Sequence, residues 1–302
     1  MPRTLEAEDD QACSLGEATE ALAALDFDPT CEERLSEAAM WLKRLSNNRT
    51  FLADLLIDQL AGRENAGVDT GYSPQAIVLS PHHQGKTGGM FLRANIWPAE
   101  QDLCFQTSGA RSFVYGVPHD HDFSFLTCGY LGPGYRSDYY EYDYESVAGY
   151  AGEPVDLKFI ERSALHEGKL MLYRRHLDIH SQIPPENLSV SLNVMHIDPA
   201  QSWFDQYGFD LEKREVTRLL SPNASEAFLR VAVATDSDEA LDFADWVGKT
   251  HPSDRLRLAS FEARAGTVSD DDQREGLWRI AETGGSRMIA QVAKERRREL
   301  VG

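Results

Sequence analysis

Apolar positions recur at two different spacings along this chain of 302 residues, and the changes of spacing divide it into three regions. Residues 10–63 are rich in Ala, Leu and Glu and nearly free of Gly and Pro. Leu35, Ala39, Leu42 and Leu45 fall at helical spacing, and Leu52, Leu55, Leu56 and Leu60 continue it. Asp28-Pro29-Thr30 is expected to divide this leader into two helices, because Pro suits a turn or a first helical position and disrupts a helix interior. Past residue 75 the pattern shortens to strand-length runs rich in Val, Ile, Phe and Tyr: 76–79, 90–97, 112–117, 123–131, 139–144, 155–161, 169–174 and 188–195. Gly88-Gly89, Gly132-Pro133-Gly134 and Pro184-Pro185 punctuate them, and many short strands at regular spacing predict a barrel or sandwich. From residue 201 helical spacing returns over 212–220, 225–233, 238–249, 253–265, 270–282 and 286–300. Ser221, Asp236, Ser253 and Ser269 are expected N-caps, and Gly266 and Gly284 expected stops. The predicted organisation is α+β: helices over 1–70, a β-barrel or sandwich over 71–200, and an all-α layer over 201–302.

Composition adds little to that outline and removes some functions from it. A hydrophobic fraction of 42% supports a proper core. Against 30 Lys and Arg stand 49 Asp and Glu, a net charge of −19, so approach to nucleic acid or an anionic membrane is opposed and neither is expected as a partner. The expected partner is a small-molecule substrate, alongside a possible homodimer. Cys13, Cys31, Cys104 and Cys128 show no zinc-knuckle or disulfide spacing and read as reduced thiols. With no apolar segment near the amino terminus and no run of about 18 apolar residues, a cytoplasmic location is expected; the sequons at Asn48 and Asn223 then carry no information.

The chemistry is concentrated in Pro118-His119-Asp120-His121-Asp122, leading into the run Phe123-Ser124-Phe125-Leu126. In an extended chain alternate side chains share a face, so His119 and His121 emerge together about 6.6 to 7 Å apart at Cα, close enough for both imidazoles to reach one ion. Neutral imidazole suits Zn, Fe, Ni or Cu. Downstream, Gly168 opens an apolar run, 169–174, that leads to His176 and His180.

This arrangement resembles the cupin superfamily of double-stranded β-helix barrels (jelly rolls), with an H-x-H pair at the start of one strand and a Gly-to-His second motif about sixty residues on. The resemblance covers about Tyr72 to Asp198. It implies that His119, His121 and His180 hold one divalent metal ion, with His176 as the competitor for the third place. Many cupins carry a Glu four or five residues after the second histidine; here Phe125 and Leu126 stand there, which leaves a three-histidine site unless Glu141 folds back to join it.

Three-histidine cupins include the thiol dioxygenases of the cysteine dioxygenase group, to which the chain is distantly similar. Arg93 lies about where that group keeps a carboxylate-binding arginine, and Ser191-Leu192 where its Ser-Leu-His-x-Tyr run begins. The run here continues Asn193-Val194-Met195, and Cys128 lies too far from His121 to match the group's crosslinking cysteine. What the resemblance implies is therefore generic: a non-haem Fe(II) oxidoreductase or dioxygenase acting on a small, carboxylate-bearing molecule, with Zn, Ni and Mn as the other metals. A ligand-binding regulatory module and a metal-dependent isomerase or lyase are the other readings.

The remaining motifs weigh less. His82-His83-Gln84-Gly85-Lys86-Thr87 lacks the upstream Gly of a phosphate-binding loop, since Ser80 stands there, and is expected to be an exposed loop. The Tyr-rich stretch 135–150, with Tyr139, Tyr140, Tyr142 and Tyr144, either lines a pocket or packs as a barrel strand; Tyr140 and Glu141 are its candidate site residues. The chain also lacks the carboxylate two residues after a ligand histidine that 2-oxoglutarate oxygenases require, since Phe123 stands there. Lys294, Arg296, Arg297 and Arg298 give the last helix a basic end that suits its dipole.

Overall fold

In the computed structural model of the chain, residues 2–63, 75–221, 223–235 and 237–301 are described. The boundary expected at residue 70, the start of the cupin resemblance at Tyr72 and the N-cap expected at Asp236 lie outside these residues.

The helical leader begins where Ser14 and Glu17 form a reciprocal capping box on α1 (Leu15–Leu25), each accepting the other's backbone N–H. It then runs through α2 (Glu32–Asn47) and α3 (Phe51–Leu60). The leader is thus three helices rather than two. Asn48 makes the extra break, because its side-chain oxygen accepts the N–H groups of Thr50 and Phe51, an Asx turn that competes with helical bonding. Leu35, Ala39, Leu42 and Leu45 are buried as their spacing predicts, but the stripe ends at Leu52, and Leu60 is 88% exposed.

The leader covers one face of a seven-stranded sheet. Its strands are β1 (Arg3–Leu5), β2 (Ala76–Val78), β3 (His83–Gln84), β4 (Gly89–Trp97), β5 (Phe125–Leu131), β8 (Leu170–Tyr173) and β10 (Ser189–Ile197). They run in the order β1-β8-β5-β10-β4-β2, with β3 also on β4. A second antiparallel sheet orders β7 (Lys158–Ala164), β6 (Arg136–Glu141) and β9 (Asp178–Ile183) as β7-β6-β9. Alternation along the strands gives the large sheet two apolar faces. Leu92, Leu126, Leu192 and Val194 pack under the leader helices. Phe91, Phe125, Met171, Tyr173 and Met195 form a second core with Tyr139 of the small sheet. Among the described residues these two antiparallel sheets share one core.

Two expected elements are different. Residues 112–117 form no strand: the chain makes a short 3-10 turn, Ala110–Phe113, and Val114 follows at φ 61°. The helix expected over 212–220 is extended chain, β11 (Tyr207–Asp210) and β12 (Glu215–Leu219). Its Glu, Lys, Arg and Leu favour helix only weakly, and Asp210 overrides them by accepting the N–H groups of Glu212 and Lys213 in a tight turn completed by Arg214 at φ 56°.

The chain divides into two compact units: Met1–Tyr144 with Val155–Arg214, and Glu145–Pro154 with Glu215–Gly302. The first contains the large and the small sheet, the leader and the short α4 (Leu103–Ser108). The second is built on α5 (Ala224–Ala234), α6 (Asp238–Thr250), α7 (Asp254–Thr267), α8 (Asp271–Glu282) and α9 (Arg287–Val301). Asn223, Ser237, Ser253 and Asp270 cap the first four, so only Ser253 is the cap its sequence position suggested. Arg296 and Arg297, in the basic end of α9, pair with Glu262, Glu299, Glu275 and Glu282. No helix among the described residues is long and apolar enough to cross a membrane, and all four cysteines are free thiols.

Candidate metal centre

His119 lies in extended chain ahead of β5, and His180 in β9, and the two backbones hold each other in place. The N–H of His119 donates to the carbonyl of His180 at 3.1 Å, and the N–H of His180 donates back at 3.0 Å. His121 follows two residues on, as alternation requires, and its carbonyl accepts the N–H of His176 at 2.9 Å. The ligand-capable nitrogens of His119, His121 and His180 all lie within 4.8 Å of one another, and Nε2 of His180 is 3.1 Å from that of His121 and 3.2 Å from that of His119.

These distances fit a shared ion. Two nitrogens each about 2.1 Å from one ion lie about 3.0 Å apart at a right angle and about 3.4 Å apart at the tetrahedral angle, and the two separations from His180 fall between. Protonation is also suitable. Burial holds all three imidazoles below the usual histidine range, and the mutual proximity of the rings adds to this at His121 and His180. Neutral rings carry one lone pair each. At His119, Nδ1 donates its hydrogen to the carbonyl of Val117 at 2.7 Å, which leaves the lone pair on the inward-facing Nε2. A bound cation would take this lone pair together with those that His121 and His180 offer when their hydrogens lie on Nδ1, and in both rings Nδ1 is buried with no hydrogen-bond partner among the described residues.

His176, the other candidate for the third place, is elsewhere. Its ring stacks on Tyr144 at a centroid separation of 3.9 Å, and its φ of 59° makes it a turn residue between β8 and β9. Its backbone nevertheless secures His121. Asp178 fixes the same turn, its buried carboxylate accepting the backbone N–H and guanidinium of Arg174.

The three imidazoles form part of the wall of a cavity of about 250 Å³. Arg93 lies on the same wall, as do Trp97, Phe123, Phe125 and Tyr135. Arg93 is thus brought to the same cavity as the histidines. Glu141 and Tyr140 are not. Glu141 pairs with Arg174 at 2.8 Å, and Tyr140 packs edge-on against Phe159. The register of β6 on β9 supplies the reason for Tyr140, since Tyr139 lies opposite His180 and Tyr140 is directed to the other face, while Glu141 is held by its ion pair.

Several lining residues escaped the sequence reading. Gln182 could have been found, because it lies two residues after His180 on one strand face; Asn95 bears the same relation to Arg93. The tyrosine cluster beside the site could be found only in part, since Tyr135 and Tyr139 fall in the Tyr-rich stretch before and within β6, but Tyr173 joins them from β8 of the other sheet. Tyr173 receives Tyr135 and Tyr139, hydroxyl to hydroxyl, at 3.1 and 2.9 Å. Burial pushes all three phenols up, Tyr139 to about 12, so they stay protonated. Tyr173→Phe removes the hydroxyl that both neighbours use and leaves buried polar atoms unpaired. It is expected to cost about 1 to 3 kcal/mol of stability, read from the midpoint of urea unfolding.

No protein-family model matches the chain, and no curated protein matches it. Among solved structures, a crystal structure of cobalt(II) HppE in complex with substrate is similar over 60% of this chain and 94% of that one. The identity is 12% and the TM-score 0.22, too slight a likeness to carry an argument.

Proposed function

We propose that the chain is a metal-dependent oxidoreductase with a cupin-type barrel, in which His119, His121 and His180 hold Fe(II) and Arg93 anchors a small carboxylate-bearing substrate. The observation that carries this reading is the convergence of three buried, neutral imidazoles on a cavity that also holds a guanidinium. The two antiparallel sheets around a common core support the barrel. A bound divalent ion would supply a Lewis acid with coordination positions beyond those the protein fills. The chain's own residues do the rest. Arg93 binds and orients the carboxylate, since a guanidinium offers paired N–H donors to it. Trp97, Phe123 and Phe125 keep the cavity wall apolar and limit water. The Val117 carbonyl keeps the proton of His119 on Nδ1.

Protein purified without a polyhistidine tag is expected to contain about one transition-metal ion per chain, and elemental analysis separates Fe from Zn, Ni and Mn. Oxygen uptake on adding a pool of small carboxylates is expected of the Fe(II) form. Less than about a tenth of an equivalent, with no gain on adding Fe(II), overturns the metal site. Full metal with no oxygen uptake leaves a binding protein or a Lewis-acid isomerase instead.

A further inference from the structure

Two polar side chains in the cavity have acceptors with nothing to accept. Oδ1 of Asn95 and Oε1 of Gln182 are both buried, with no hydrogen-bond partner among the described residues, and Gln182 is only 4% exposed. A buried carboxamide oxygen left without a donor costs free energy, so such atoms mark where a ligand or water belongs.

Their placement is orderly. Arg93 and Asn95 are two residues apart on β4, and His180 and Gln182 two apart on β9, so each pair shares a strand face, and all four side chains line the same cavity. The amide nitrogen of Gln182 lies 3.3 Å from Nε2 of His180. An ion that takes the His180 lone pair releases this N–H as well.

We propose that the cavity takes a small hydroxy acid, its carboxylate on Arg93 and its hydroxyls on Asn95 and Gln182. This rests on the metal-site reading above and names the substrate class for it. Size favours it: about 250 Å³ is below the roughly 300 to 1,000 Å³ of pockets for drug-sized ligands. Charge selects the donor. Among the described residues no acidic side chain lines the cavity, and a guanidinium is already present, so a divalent ion would make the site strongly cationic. An ammonium group would enter against that charge, whereas a hydroxyl would not. Hydrogen bonding agrees at Gln182, because a hydroxyl can both donate to its orphaned oxygen and accept the N–H that the ion releases, while an ammonium only donates.

Titration calorimetry of the metal-loaded full-length protein with glycerate, propionate and alanine tests this. Glycerate is expected to bind at least about tenfold more tightly than either of the others. Asn95→Leu and Gln182→Leu, which keep the volume and remove the amide, are each expected to cost about tenfold for glycerate and to leave propionate unchanged. Equal affinity for glycerate and propionate overturns the proposal, as does alanine matching glycerate, full discrimination in both variants, or binding of none of the three. Metal content measured on the same samples keeps the two readings apart. Wild-type protein that holds no metal but still prefers glycerate refutes the metal site alone.

Discussion

His180→Ala is expected to weaken metal binding by at least about a hundredfold, because loss of a ligand must exceed the ten- to hundredfold cost of losing an outer partner. Competition with a chromophoric chelator reads the change directly. The buried Nδ1 of His180 has no hydrogen-bond partner among the described residues, so truncation removes an unsatisfied polar group along with the ligand. The metal-free variant is accordingly expected to fold, which separates lost binding from lost structure. His176→Ala is the matched control. Its ring stacks on Tyr144 and packs at a tilt against Phe204, apart from the three-histidine group, and metal affinity is expected to stay within about threefold of wild type. If His176→Ala lost the metal and His180→Ala kept it, the assignment would be reversed.

Acid is expected to destabilise the metal-free protein steeply. His119, His121 and His180 titrate below the usual range when folded, because burial opposes their charged forms, and near 6.5 when unfolded. Between the folded value and 6.5 the unfolded chain therefore binds more protons, and stability falls as pH drops through that window. Each imidazole contributes about 1.4 kcal/mol per pH unit there, so three acting together approach about 4 kcal/mol per unit. Above about pH 7 the contribution vanishes, because both states are neutral. Thermal unfolding of chelator-treated protein from about pH 8 to pH 5 measures the slope, and added metal is expected to move the decline to lower pH by competing with protons. A flat profile across that range would rule out three buried neutral histidines.

The parts of the site legible in the sequence were those carried by local alternation. His119 and His121 lie two apart in extended chain, so their common face follows from backbone geometry alone. Arg93 and His180 came from resemblance, and neither position could be deduced from spacing, since tertiary pairing of separate strands brings them to one cavity. Tyr140 illustrates the limit. Its strand was anticipated, but which of two adjacent tyrosines faces His180 depends on cross-strand register, and a shift of one residue exchanges the faces. Asp210 and Asn48 illustrate another: single side chains that capture backbone N–H groups ended or replaced helices which the composition favoured.

The ten residues Glu145–Pro154 leave one compact unit and complete the other. Ala148 and Tyr150 pack on the core formed by Phe261, Trp278 and Ile289. Glu153, 2% exposed, accepts the N–H groups of Ala148 and Gly149 and pairs with Arg287. The helical unit is thus not a detachable tail. A chain ended near residue 214 would retain a loop whose buried Glu153 has lost its Arg287 partner and whose two apolar side chains are stranded, and the excised helices would lack part of their own interior. Recombination could exchange either unit intact only by cutting the gene at three places, so the pair is expected to be inherited together.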